Sequence, residues 1–287
     1  MAHRTPQTRR SPVEIDWQRL LMSVLETPGQ LMEAYRAFRR YSFHNTLLIM
    51  EQCLMRALAI GPIATYQEWQ QKQRQVRKGE KALGMWRPIM LRSRHQSSDQ
   101  QDNDEQTAPR QRPRFIWQHA WFVYSQTDTC QPSDETPSTD NGSTEALPWH
   151  SDQAVTTLQI TRIPFAHYDG NVQGYATQHR EVAISPLAQL PEKTLIHEIA
   201  HILLDHTGEL RDLDPAIKEF EAEAVAMLCL ASLGLPGVPY CRGYIQSWLS
   251  STDSAIIAER CQRVITVANR ILKAGEQQPE VAVETAA

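Results

Sequence analysis

The sequence predicts an α+β protein in two parts: a helical front half with a small antiparallel sheet, and a mainly helical back half with a short sheet. Three observations predict it. Apolar residues recur at helical spacing in long runs toward both ends of the chain. Two strand-like segments lie between them, a strand-turn-strand pattern over 76–90 and an aromatic-rich run over 115–124. A stretch dominated by Ser, Thr, Pro, Asp and Gly, residues 128–147, has no core-forming pattern and separates the halves. With 287 residues, 41% of them hydrophobic, the chain can bury a core of that extent.

Taken in order, residues 1–12 read as a disordered basic arm, and 13–127 as the front domain. From Val13 to Arg40 the residues Trp17, Leu20, Leu21, Val24, then Leu31, Met32, Tyr35 and Phe38 fall at helical spacing. Thr27-Pro28-Gly29 divides them into two helices. A third helical run, His44 to Ala59, stops at Gly61-Pro62. Tyr66 to Gln75 predicts a short amphipathic helix. Val76 to Met90 predicts a hairpin turning at Lys78-Gly79-Glu80-Lys81. Residues 93–112, rich in Gln, Ser and Asp, read as a disordered insertion, after which Phe115 to Tyr124 forms a strong strand. Residues 128–147 are the linker, 148–275 the back domain and 276–287 a flexible tail. In the back domain we expect a helix over 151–158 and short strands near 160–163 and 180–184. A motif-bearing helix follows, then a polar connection over 207–215, a helix from Ala216 to Leu233, and a helical pair from Tyr240 to Ala274.

The net charge of −4 conceals a division. Residues 1–92 carry 15 Lys and Arg against 7 Asp and Glu, a balance of +8, which leaves −12 for the rest. A basic front and an acidic back suggest a polyanion-binding module joined to something else. The five cysteines are scattered and never spaced Cys-x-x-Cys, so buried thiols are expected rather than a disulfide framework. No apolar run reaches membrane-spanning length, and Met1–Arg10 lacks the apolar segment of a signal peptide; the expected location is the cytoplasm, with no membrane partner.

The most informative stretch is Thr194-Leu-Ile-His197-Glu198-Ile-Ala-His201-Ile-Leu-Leu204. On a helix His197 and His201 stand one turn apart on one face and can share an ion, while Glu198 beside them can take a proton from the attacking water. Zinc is the expected ion, with another divalent metal such as Mn2+ as the alternative. A catalytic zinc site needs a third protein ligand. Glu219 and Glu223 share a face of the next helix, whereas Glu221 points the other way. Glu219 is assigned as the third ligand and Glu223 as the outer carboxylate that orients a ligand histidine, roles that the sequence leaves interchangeable. A straight helix carries Asp205 too far from His197 to share its ion, and places His206 in the outer shell or at the surface. The chemistry implied is metal-assisted hydrolysis, most naturally of a peptide bond. Tyr240 and Tyr244 are candidate oxyanion donors. Glu181-Val-Ala-Ile184 is a candidate edge strand for an extended substrate.

Between Gln71 and Arg92 seven Lys and Arg stand against Glu80 alone, interleaved with Trp69 and Trp86. Charge to follow phosphates and aromatic faces to stack on bases are what single-strand binding requires. The candidate residues are Arg39, Arg40, Tyr41, Asn45, Trp69, Lys72, Arg74, Arg77, Lys78 and Lys81.

The His197-Glu-Ile-Ala-His201 motif followed by Glu219-x-x-Ala222-Glu223 resembles gluzincin-like, ImmA/IrrE-type zinc metallopeptidases. Tyr41-Ser-Phe-His-Asn45-Thr-Leu-Leu-Ile49, Thr65-Tyr-Gln-Glu-Trp69 and Val76-Arg-Lys-Gly-Glu-Lys81-Ala resemble the N-terminal domain of ArdC-type antirestriction proteins, in which such a domain is joined to a metallopeptidase domain. Val123-Tyr-Ser-Gln-Thr127 and Tyr244-Ile-Gln-Ser-Trp248 also fit. The resemblance implies a zincin-like back domain and a front domain that binds single-stranded DNA. It implies a plasmid- or mobile-element-encoded protein that protects incoming DNA from host restriction. The polar stretches at 93–112 and 128–147 depart from the family pattern. Its protein substrate would be a restriction component or a repressor. Two rivals are a protector that only coats DNA around a structural or vestigial metal, and a regulatory metalloprotease that cuts a repressor.

Overall fold

The computed structural model describes residues 16–38, 40–90, 113–130, 149–166 and 172–276. The expected arm at 1–12, the insertion at 93–112, the linker from 131 to 147 and the tail beyond Glu276 lie outside the described residues, as does Arg39.

Helix α1 (Trp17–Glu26) starts at Asp16, whose side chain accepts from the Arg19 amide, and α2 (Pro28–Ala37) starts on a proline in its first turn. Their apolar stripes, Leu20, Leu21, Val24, Leu25, Leu31 and Ala34, are all buried. Ser42 caps α3 (Phe43–Met55), which is buried along most of its length. The front sheet follows: β1 (Ile63–Thr65), α4 (Tyr66–Gln71), β2 (Arg74–Val76), β3 (Leu83–Met90), β4 (Pro113–Val123) and β5 (Thr127–Thr129).

The expected hairpin across Lys78–Lys81 does not form. Strand β2 pairs with β5, and β3 pairs with β4, giving the order β1-β4-β3 beside a separate β2-β5 ribbon. Arg74 is the cause. It points inward from β2, and its guanidinium donates to the Thr127 hydroxyl at 2.7 Å and the Thr127 carbonyl at 2.9 Å, which selects β5 as partner. Helix α4 stops at Gln71, short of the expected Gln75, because Gln73 takes a left-handed φ of 56°.

The edge of β3 that β4 does not use is closed by side chains. Asn45 exchanges two hydrogen bonds with the Trp86 backbone, at 2.9 and 3.0 Å, and Gln52 does the same with Gly84, at 2.8 and 2.9 Å. The two residues lie two turns apart on α3 and act as a surrogate strand. Gly84 must be glycine for another reason: a Cβ there would run into the Trp117 ring, which lies across it.

In the back half, α5 (Ser151–Thr157), β6 (Thr161–Arg162), β7 (Gly174–Ala176) and β8 (Glu181–Ile184) precede four helices, α6 (Pro191–Leu203), α7 (Pro215–Leu233), α8 (Val238–Ser251) and α9 (Ser254–Ala274). The sheet order is β6-β8-β7. Glu181–Ile184 is therefore the central strand and not the edge strand that the sequence suggested. Strand β6 runs parallel on one side of it, and β7 antiparallel on the other. Strand β7 is too short, at three residues with a glycine, to announce itself by alternation.

Helix α7 is the axis of the molecule, with nearly every residue from Phe220 to Ser232 buried. Helix α2 packs along it, and one continuous apolar cluster runs from Leu20 on α1 to Ala274 on α9. Hydrogen bonds cross between the halves as well. Arg242 donates to the Leu25 carbonyl at 2.9 Å, and the Phe43 amide donates to Asn269 Oδ1 at 3.2 Å. Cys53, Cys229, Cys241 and Cys261 are buried free thiols as expected, but Cys130 is exposed. No helix among the described residues is long and apolar enough to cross a membrane.

Candidate metal centre

Pro191 opens α6, and Leu195, Ile196, Ile199, Ala200 and Ile202 fix its buried face. That leaves His197 and His201 at the boundary, 14% and 13% exposed, with their Nε2 atoms 3.0 Å apart. Helix α7 brings Glu219 to both of them. Its Oε2 lies 3.4 Å from His197 Nε2 and its Oε1 3.4 Å from His201 Nε2. Among the described residues this is the group of three whose donor atoms all lie within 4.8 Å of one another. Two ligands at 2.0–2.1 Å on a tetrahedral ion stand about 3.3 Å apart, so two imidazole nitrogens and a carboxylate at these separations fit a divalent ion of zinc's size.

The local field is strongly perturbed. Burial pulls His197 down, but Glu219, Glu223 and Glu198 outweigh it and the net shift is upward. Burial, reinforced by the neighbouring His197, takes His201 down to about 4. The two Nε2 atoms face each other across one site. Glu219 is held below the usual carboxylate range, first by its hydrogen bond with His197. Burial raises Glu198 to about 7, with the charge of Glu219 acting in the same sense.

Glu223 stands behind His197. Its Oε1 is 3.5 Å from His197 Nδ1 and accepts from Lys193 Nζ at 2.7 Å. The geometry thus separates the two acids that the sequence left interchangeable: Glu219 faces both Nε2 atoms, and Glu223 the rear of one ring. Asp205 is outside the cluster. Tyr240 and Tyr244 are 71% and 53% exposed on α8, and no hydrogen bond among the described residues joins them to the cluster. Glu221 went unrecognised, and His206, expected in the outer shell or at the surface, lies buried behind His201. Glu221 does face away from the cluster, but it is completely buried and meets His206 Nε2 at 2.9 Å, while His206 Nδ1 lies 3.0 Å from His201 Nδ1.

Several candidate DNA-binding residues prove structural. Trp69 is 2% exposed, and its indole N–H donates to the Phe122 carbonyl, so no base can stack on it. Arg74 is buried, with its guanidinium 3.9 Å from the Tyr124 ring centroid, and Asn45 is spent on β3. Arg77 is exposed but engaged by Glu80, Asp128 and the Ser125 carbonyl. Tyr41 is half-buried, edge-on to Trp121. Arg40, Lys72, Lys78 and Lys81 are exposed. Accessible aromatic surface lies elsewhere, on β3 and β4 and at Tyr66 of α4. Trp86 and Trp117 pair across the strands with ring centroids 5.5 Å apart, His119 continues the row, and Phe115 is 59% exposed. The alternation Phe115, Trp117, His119 was the available signal.

Residues 10–121 match the family model of the N-terminal domain of anti-restriction factor ArdC, and residues 155–232 match the IrrE N-terminal-like domain, a peptidase family. None of the curated proteins gives a significant match. Among solved structures the chain is similar to the antirestriction ArdC protein of plasmid R388. The metal-free form shares 16% identity at a TM-score of 0.51, covering 92% of this chain and 100% of that one. The Mn(II)-bound form gives the same identity and TM-score over 91% and 98%. At that identity the likeness is one of fold.

Proposed function

We propose that this chain, in which an ArdC-type N-terminal domain precedes an IrrE-like peptidase domain, is a cytoplasmic antirestriction protein. In this reading it holds single-stranded DNA with its front half and hydrolyses peptide bonds at a divalent metal held by His197, His201 and Glu219. The observation that carries the reading is the convergence of three donors from two helices beside Glu198, a carboxylate they do not use. Zinc is the ion that suits two imidazoles and a carboxylate, with Mn2+ as the alternative. When bound, it supplies Lewis acidity and a water of lowered pKa.

The protein's own groups do the rest. Glu198, buried beside the three donors, is placed to receive a proton and to return it to the leaving amine. Glu223, held by Lys193, stands 3.5 Å behind His197 Nδ1, where a small approach would let it orient the ring. An extended substrate adds along the outer edge of β7, whose Gly174 lies against Thr194, one turn before His197. The protein cut is a restriction component or a repressor. In the front half Arg40, Lys72, Lys78 and Lys81 follow phosphates, and bases stack on the Trp86, Trp117 and Phe115 face.

Glu198→Gln tests the catalytic assignment. It is expected to keep its metal and to lose about 100-fold or more of its cleavage of a peptide library; undiminished cleavage overturns the assignment. Single-strand affinity is expected to fall with salt at a log–log slope of about −0.7 per phosphate contacted, and Lys72→Glu with Lys78→Glu to flatten that slope. A restriction-protection assay on Glu198→Gln then distinguishes protection by hydrolysis from protection by DNA coating.

A further inference from the structure

A buried polar chain lies behind the cluster. Helix α6 ends at Leu203, and Asp205 takes a left-handed φ of 65°, so that the His206 amide turns back to donate to the His201 carbonyl at 2.9 Å. This reversal sets the His206 ring beside His201, Nδ1 to Nδ1 at 3.0 Å, and its Nε2 against Glu221 Oε2 at 2.9 Å. The side chains of His206 and Glu221 are 1% and 0% exposed. On the far side, Arg263 and Arg260 of α9 approach the second oxygen of Glu221 at 3.6 and 3.7 Å and supply the countercharge that a fully buried carboxylate needs.

We propose that Glu221 and His206 form a positioning relay, acting through His201, that fixes its tautomer and ring orientation for metal binding. The proposal rests on the metal-centre reading above. Its polarity follows from the contacts. His201 Nε2 faces the cluster and must present a lone pair there, so the ring proton sits on Nδ1 and is donated to His206 Nδ1. His206 then carries its own proton on Nε2 and donates it to Glu221. The opposite polarity would point a proton from His201 into the cluster and leave a lone pair of His206 facing a carboxylate. Helix α7 thus serves the site with three acids at alternate positions: Glu219 in front, Glu223 behind His197, and Glu221 behind His201 at one remove.

Zinc and Mn2+ affinities of the full-length protein, measured by competition with a chromophoric chelator, test the relay. Far-UV circular dichroism checks that each variant is folded. His206→Leu is expected to weaken metal binding by about 10- to 100-fold. His206→Gln is expected to stay within a small factor of wild type, because its amide oxygen can accept from His201 Nδ1 while its NH2 donates to Glu221. In the cobalt-substituted protein the visible ligand-field band is expected to move in His206→Leu and to be retained in His206→Gln. Should His206→Leu not fold, Glu221→Gln replaces it, with about 10-fold weaker binding expected. Wild-type affinity in His206→Leu, or in Glu221→Gln where that replaces it, overturns the relay and leaves the metal centre standing. Equal losses in His206→Leu and His206→Gln also overturn it, since packing alone would then be at stake. A wild-type protein that binds neither metal overturns both readings.

Discussion

Glu198 is kept where it is at a cost to the fold. In the unfolded chain its carboxyl titrates near the ordinary 4.5, and in the folded, metal-free protein near 7. The folded state therefore binds this proton more tightly, so the contribution of Glu198 favours folding at low pH and is lost as pH rises from about 4.5 to about 7. Glu198→Gln is neutral at every pH and escapes the loss. The metal-free variant is expected to be more stable than metal-free wild type by on the order of 1–3 kcal/mol at pH 8, and to match it near pH 4.5, as read by urea denaturation at the two pH values. At this scale the sequence was informative wherever the geometry was local. Two histidines four apart on one helix need no tertiary information, and neither does the shared face of Glu219 and Glu223. The pairing of His206 with Glu221 depends on a single left-handed residue, Asp205, that folds the chain back on the end of α6. An aspartate tolerates that conformation but does not announce it.

The same division appears among the elements. Helices α6, α7 and α9 were readable because an amphipathic or wholly apolar run determines both their type and their buried face. Strand pairing was not, because it turns on which partner satisfies the backbone. Strand β2 went to β5 through Arg74, and β8 became central when a three-residue strand took the edge. The clamp of α3 on β3 is the sharpest case. Asn45 and Gln52 look like polar residues in a helix, and the sequence accordingly offers Asn45 as a DNA contact. In the fold they occupy the hydrogen-bonding positions of a missing strand. Gln52→Ala strands the N–H and C=O of Gly84 in a buried setting and is expected to cost about 1–3 kcal/mol, measurable as a lowered urea midpoint. Asn45→Ala is expected to cost a similar amount and also to loosen Trp86. Its single-strand affinity should therefore fall through a displaced aromatic face, with the salt slope unchanged.

At the scale of the whole molecule, the composition break at 128–147 marks a change of chemistry but not a break in the core. The apolar cluster passes from α1 and α2 onto α7 without interruption, and Phe43, Arg242 and Tyr35 tie the halves together with hydrogen bonds to Asn269, Leu25 and Glu276. Two separate cores would melt independently, whereas a shared one makes each half part of the other's interior. We expect the full chain to unfold in a single calorimetric transition that moves upward as a whole when zinc is added, because an ion bound only by the folded state stabilises everything that unfolds with it. A fragment covering residues 148–276 would expose the surface of α7 that α2 covers. It is expected to be unstable or aggregated alone, and to be recovered by co-expression with residues 13–130. Two well-resolved transitions, with only the upper or the lower one responding to zinc, would show instead that the DNA-binding and metal-binding halves fold as independent units.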